Sequence, residues 1–318
     1  MSPAEPVPSR RVADVDGVPM SALVAEAPRP RAVVVALHGG ATTAVYFDAP
    51  NRPRLSLLRT GAALGFTVIA LDRPGYGASA ARPDRTATAE ARVGLAYGAI
   101  DGLLESRPRG AGVFLMAHSL GCELAVRMAA GERGGDLLGL EISGTGRHYQ
   151  PVAAELLGNR FRGGPPAAAP GGTVRDLVWG GDHLYPEGIA GEAGILAPGP
   201  AHEGAVARTW PHDFASVAAR VRIPVRYTLA EHEGVWRAGR AGLADVAAMF
   251  TASPRVETGE QAGGHNLSLG LSARAYHLRV LAFAEECVLA RERAGAPPAL
   301  GAPPALGDGT APAAGPRR

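Results

Sequence analysis

Short apolar runs alternate with amphipathic stretches along most of the chain. Val12 and Val15 precede Asp16-Gly17, and Val18, Met20, Ala22 and Val24 alternate after it, so Arg11 to Ala27 reads as a β-hairpin. Ala32 to Leu37 is a solid run rich in valine, the pattern of a strand buried on both faces. Leu55 to Leu64 predicts a helix closed by Gly65, and Phe66 to Leu71 a second buried strand. Ala89 to Leu104 is an amphipathic helix, and Val113 to Met116 a buried strand. A polar turn, Ala117 to Gly121, then leads into a helical pattern with Leu124 and Met128 on one side. Leu137 to Ile142 is another strand, followed by Ser143-Gly144. The alternation resumes at Ile223 to Ala230 (strand), Ala238 to Phe250 (helix), Arg255 to Thr258 (a short last strand) and Ser268 to Arg291 (helix), with His265 in the loop before that helix. Strands alternating with helices predict a parallel, doubly wound α/β sheet.

Two stretches break the rhythm. Thr145 to Arg222 has Pro and Gly clusters, notably Gly163 to Gly172, and scattered aromatic and His residues, but no βα unit. That is too long for a plain loop, so an inserted lid or cap is expected over 145–222, with Trp179, Tyr185 and Trp210 as its candidate pocket residues. The core then consists of 11–144 and 223–293. From Ala294 the chain is Gly/Ala/Pro-rich, and Gly295 to Leu300 repeats at once as Gly301 to Leu306. With too little apolar side chain to pack, 294–318 is expected to be disordered.

Composition narrows the chemistry. The net charge is +2 with no long basic run, which argues against a nucleic-acid partner. All 32 basic residues are Arg, so no Lys nucleophile or Schiff base is available. Cys122 and Cys287 are too few for a disulfide framework and read as buried reduced thiols. No Cys/His/Asp cluster has zinc spacing, and neither a G-x-G-x-x-G nor a P-loop is present, so neither metal nor cofactor is expected. The N-terminus has no apolar core of a signal peptide, and no run approaches the ~18 apolar residues of a membrane span; a cytoplasmic protein is the expectation.

Strand, tight turn and helix around Ala117-His118-Ser119-Leu120-Gly121 is the context in which a serine nucleophile elbow makes physical sense. The serine sits in a strained turn with its hydroxyl at the tip, and the residues two before and two after it must be small, as Ala117 and Gly121 are. Such a nucleophile needs a base, a group to orient that base, and donors for an oxyanion. His265, preceded by Gly263 and Gly264 in the loop after the last strand, is the candidate base. Of the other histidines, His38 and His118 read as structural, His148, His183, His202 and His212 fall in the lid, and His277 lies within the final helix. Glu233, where the chain has just left a strand, is the candidate acid, with Glu231 as the alternative. The oxyanion donors are expected to be the backbone N–H groups of Leu120 and, from His38-Gly39-Gly40-Ala41, of Gly40. Asp72-Arg-Pro-Gly-Tyr-Gly-Ala-Ser79 reads as a structural turn beside the elbow, with no chemistry assigned to it.

Leu37-His38-Gly39-Gly40, Asp72 to Ser79, Ala117 to Gly121, Ile223-Pro224 through Glu233, and Gly264-His265 together resemble the α/β-hydrolase family in its lidded bacterial branch. They occur in the family's order over about Arg11 to Arg293. The resemblance implies an eight-stranded, mostly parallel sheet flanked by helices, with a cap between the sixth and seventh strands. It implies cofactor-free hydrolysis of a carboxylic ester or thioester through an acyl-enzyme, with a small-molecule acyl substrate that a carrier protein or coenzyme A could bear. Ala117 replaces the family's usual Gly, and Glu233 its commoner Asp. Ser119 at the nucleophile position argues against the epoxide hydrolase and dehalogenase branches, which use Asp there. Acyl transfer by the same triad is the alternative, and a non-catalytic ligand-binding protein on the same fold is the third reading. The acyl group, the leaving group and the oligomeric state are not written in the motifs.

Overall fold

Val33–Leu37 forms a strand in which every residue is buried, and alternation of side chains sends successive residues to opposite faces of one sheet. Val33, Val35 and Leu37 join one apolar cluster, Val34 and Ala36 the other. The structure, a computed structural model, describes residues 7–161, 173–192 and 194–295. In chain order its strands are β1 (Ser9–Val15), β2 (Val18–Ala25), β3 (Val33–Leu37), β4 (Thr67–Leu71), β5 (Val113–His118), β6 (Gly139–Ser143), β7 (Val225–His232) and β8 (Val256–Gly264). Its helices are α1 (Leu57–Ala63), α2 (Ala89–Leu104), α3 (Gly121–Ala130), α4 (Pro151–Phe161), α5 (Val174–Trp179), α6 (Glu203–Ala218), α7 (Gly239–Ala247) and α8 (Ala273–Gly295).

All eight strands form one sheet in the order β1-β2-β4-β3-β5-β6-β7-β8. The expected hairpin β1–β2 turns at Asp16-Gly17 and joins the sheet antiparallel to β4; the remaining neighbours pair in parallel. Residues from α1 and α8 pack on one face, and residues from α2, α3 and α6 on the other. Ser56 and Thr88 cap α1 and α2 by accepting from the N–H groups of Arg59 and Ala91. Among the described residues, no helix is long and apolar enough to cross a membrane.

The last strand is longer than expected: it runs to Gly264 instead of ending at Thr258, so His265 follows it directly and not after a loop. Glu257 to Gly264 lacks apolar alternation because β8 is an edge strand, held by its ladder to β7, with Thr258, Glu260 and Ala262 exposed. Between the pairs Ala230–Gln261 and His232–Gly264, β7 advances two residues and β8 three. The extra residue is a bulge at Ala262-Gly263, where Gly263 takes φ 131°, a conformation open to glycine.

Between β6 and β7 lie α4, α5 and α6. The last of these packs on α3 and contributes Trp210, Phe214, Val217 and Ala218 to the main core. Pro211 inside α6 removes the N–H that would bond Ala207, and the hydroxyl of Tyr149 donates to that carbonyl instead, at 3.1 Å. Of the tail, Ala294 and Gly295 end α8; 296–318 lie outside the described residues, as does the whole Gly163 to Gly172 cluster.

Candidate active site

Ser119 follows β5 directly and precedes α3. Its φ is +52°, the left-handed region that a side chain enters only under strain. The turn is fixed on both sides: the Ser119 N–H donates to the Ser143 carbonyl at 2.8 Å, and its carbonyl accepts from the Cys122 N–H at 2.9 Å. A Cβ at Gly121 would lie 2.5 Å from the Leu37 carbonyl oxygen, so strand and helix approach too closely for any side chain there. Ala117 is fully buried at the other small position.

His265 leaves the β8 bulge with its ring beside the elbow. Its Nδ1 faces both carboxylate oxygens of Glu233, at 2.9 and 3.0 Å, and its Nε2 lies 3.4 Å from Ser119 Oγ. With Nδ1–H donating to the carboxylate, the Nε2 lone pair is left toward the hydroxyl. Glu233 is buried just past the end of β7, and Oε1 also accepts from the Val235 N–H at 2.9 Å. Glu231 is exposed. Of the two glutamates named from the sequence, the structure brings Glu233 to His265.

His118 is buried between Tyr46, stacked at 4.9 Å, and the edge of His265, also at 4.9 Å. Burial holds its pKa well below the ordinary histidine value, so it is a neutral packing group. His38 is held neutral in the same way, by burial and by nearby Arg73. Its Nδ1 donates to the Gly39 carbonyl at 2.8 Å, and its Nε2 accepts from the Arg73 N–H at 3.0 Å.

The Gly39-Gly40 turn lies against the elbow: a Cβ on Gly39 would be 3.1 Å from the Cβ of Ser119, and one on Gly40 2.8 Å from Leu120 Cδ1. The next N–H, that of Ala41, is taken by the Tyr76 hydroxyl at 2.8 Å. Among the described residues, no protein acceptor receives the N–H of Gly40 or of Leu120.

The stretch Asp72 to Ser79, expected to be structural, braces this turn. Asp72 accepts from the Ala44 N–H and from Ser21 Oγ. The Arg73 guanidinium donates to the Gly39 carbonyl at 2.8 Å and to Glu203, with which it forms a buried ion pair. The Tyr76 hydroxyl donates to the other Glu203 oxygen at 2.6 Å. Nothing in the sequence pointed to Glu203: it opens α6, 130 residues from Arg73, where no periodicity marks its inward side.

Tyr185 lies beside the base, its hydroxyl accepting from the Asn266 N–H at 3.1 Å and its ring 5.4 Å from that of Trp179. Both aromatics line a cavity of about 340 Å³ together with Arg175, Asp182 and Ile189. Trp210, the third aromatic expected to line a pocket, is instead in the main core. It stacks on Phe214 at 4.6 Å and donates from Nε1 to Thr145 Oγ1 at 3.1 Å, because α6 turns that face toward α3 and the sheet.

The family model described as "Alpha/beta hydrolase family" matches residues 34–308. No curated protein matches the chain. Among solved structures, a highly thermostable carboxyl esterase from Bacillus coagulans in complex with glycerol is similar, with a TM-score of 0.63 and 18% identity over 89% of this chain and 98% of that one. A Paleococcus ferrophilus monoacylglycerol lipase has a TM-score of 0.58 and 19% identity over 84% and 99% of the two chains. A thioesterase domain from the curacin biosynthetic pathway has a TM-score of 0.56 and 16% identity over 86% and 99%. At these identities the likeness is one of fold; the family is shown by the family model, which spans most of the chain. The chain belongs to the alpha/beta hydrolase family, and so to the hydrolase enzymes.

Proposed function

We propose that this protein is a serine hydrolase that cleaves a carboxylic ester or thioester through an acyl-enzyme. The observation that carries the reading is the contact series Glu233 to His265 Nδ1 and His265 Nε2 to Ser119 Oγ, at 2.9 and 3.4 Å. In this mechanism Ser119 Oγ attacks the acyl carbon while His265 Nε2 takes the hydroxyl proton. Glu233 fixes the tautomer and balances the imidazolium without itself taking the proton. The carbonyl oxygen becomes an oxyanion, met by the N–H groups of Leu120 and Gly40. Collapse expels the alcohol or thiol, protonated by His265, and water attacks the acyl-enzyme by the same proton route in reverse. The 3.4 Å separation is at the long end of hydrogen bonding, as free active sites often are before substrate tightens them. On this reading, the described residues between β6 and α6 form the cap, with Trp179 and Tyr185 on its pocket side.

The test is intact mass after a fluorophosphonate probe, on the wild-type chain and on Ser119→Ala. One adduct on the wild type and none on the variant supports the reading; no adduct on either overturns it in favour of a non-catalytic binding protein. Amines and thiols added during ester turnover then separate hydrolysis from acyl transfer: a transferase diverts the acyl group to them, a hydrolase delivers it to water.

A further inference from the structure

The Gly39 carbonyl is held by three donors. Arg73 Nη2 and His38 Nδ1 each lie 2.8 Å from it, and Thr42 Oγ1 lies 3.1 Å away. That carbonyl belongs to the same peptide unit as the Gly40 N–H. The unit is planar and trans, so fixing the direction of C=O fixes the opposite direction of N–H. A cation on the oxygen also draws charge through the amide and makes its N–H a stronger donor.

Arg73 cannot easily wander from this post. Its guanidinium is buried, lies 5.0 Å from the centre of the Tyr76 ring, and is paired with Glu203. Glu203 in turn accepts from the Tyr76 hydroxyl, and that hydroxyl receives the Ala41 N–H. Ala41 has φ +52°, a conformation costly for alanine, so the turn needs outside support to keep its shape. Gly40 is thus bracketed: Arg73 grips the peptide before it, and Tyr76 the amide after it.

We propose that Arg73, held in place by Glu203, is a positioning residue that aims and polarises the Gly40 N–H toward the oxyanion. The inference rests on the reading of Ser119 as the nucleophile. It gives the buried charge pair a role in the transition state, where the developing negative charge on the substrate oxygen is answered through one peptide unit by a guanidinium that never touches substrate.

The experiment compares the full-length wild type, Arg73→Lys, and the double variant Arg73→Met with Glu203→Leu. The double variant removes both charges together, a replacement that buried pairs often tolerate, whereas removing one alone would strand the other. Fluorophosphonate labelling is followed by intact mass to its end point, and each rate is normalised to the sites labelled, so that misfolded chains drop out. Turnover of 4-nitrophenyl butyrate gives kcat and KM. The expected result for the double variant is labelling and kcat slowed about 10- to 100-fold, KM within about twofold of wild type, and an unshifted pH–rate inflection, because His265 and Glu233 are untouched. Arg73→Lys, which keeps a cationic donor, recovers most of the lost kcat.

A wild-type rate in the double variant, or a loss carried by KM alone, overturns the positioning role while leaving the Ser119 reading intact. Absence of an adduct on the wild-type chain overturns the Ser119 reading, and this inference with it.

Discussion

Glu233 meets His265 Nδ1 with both carboxylate oxygens, at 2.9 and 3.0 Å, although the two residues sit on neighbouring strand ends 32 positions apart. The pair fixes which imidazole nitrogen carries the proton. Glu233→Gln preserves shape but lets the amide donate to Nδ1 and favours the wrong tautomer. It is expected to lower kcat/KM on a 4-nitrophenyl ester by about 10³- to 10⁴-fold. Glu231→Gln, at an exposed side chain, is expected to stay within about twofold of wild type.

The turn at Ser119 stores backbone strain. Ser119→Gly removes a side chain from a residue at φ +52°, so it is expected to raise stability to unfolding by about 1 kcal/mol while abolishing fluorophosphonate labelling. Gly121→Ala has the opposite effect on stability, a loss of about 1–3 kcal/mol, because its new methyl would press on the Leu37 carbonyl. Urea titrations of the three chains check both.

Glu141 is wholly buried in β6, and burial above all raises its pKa to about 8. The Tyr276 hydroxyl donates to it at 3.1 Å, and Arg226 Nε lies 3.7 Å from its other oxygen while Arg226 also pairs with Glu257. A carboxyl whose folded pKa is raised contributes stability that is fully present below its unfolded pKa, near 4.5, and lost as pH rises through about 8. Glu141→Gln mimics the protonated form. The variant is expected to match the wild type at about pH 4.5 and to exceed it by several kcal/mol above about pH 8, the difference growing between. Unfolding followed across that range for both chains supplies the comparison.

Trp210 belongs to the core, and its substitution should read out as stability and not as specificity. Trp210→Ala leaves a large hole beside Phe214 and is expected to cost about 3–5 kcal/mol. The milder Trp210→Phe is expected to lower Tm while leaving KM for esters of different chain length in the wild-type order. Trp179→Ala and Tyr185→Ala, at the cavity wall, are the variants expected to reorder those KM values.

The parts of the fold legible in the sequence are those in which burial imposes a period. The valine-rich run at β3, the strand before Ser119 and the strand before Glu233 each had to be apolar, so the strand-end residues Ser119 and Glu233 could be read from where those runs stop. His265 was legible from its glycines, and the start of the strand before it was too, but not that strand's continuation from Gly259 to Gly264. Glu257 to Gly264 forms an edge, and its backbone ladder needs no particular side chains. α6 was hidden by Pro211, which interrupts a helical pattern whose lost hydrogen bond Tyr149 replaces. Arg73 and Tyr76 stood in a motif that could be recognised, yet their role depends on Glu203, and a contact across 130 residues leaves no mark on local periodicity.

Residues 194–197 run antiparallel along the turn that follows Gly40. Thr43 donates its N–H to Ile195 and its hydroxyl to Gly194, and Ala197 donates to Ala41. Glu203 fastens the same segment a few residues further on. To lift this stretch away, those three hydrogen bonds and the buried ion pair would have to break together, and the turn at Ala41 would lose its support in the same event. The inserted region is therefore sewn down beside the Gly39-Gly40 turn, and it is tied at the border around α4 and α5 as well, where the Gln150 N–H donates to the Val235 carbonyl at 2.9 Å and Asn266 Nδ2 to the Val178 carbonyl at 2.7 Å. On the proposed mechanism, a passage for substrate that opened along residues 194–197 would dismantle the turn that presents the Gly40 N–H each time it was used.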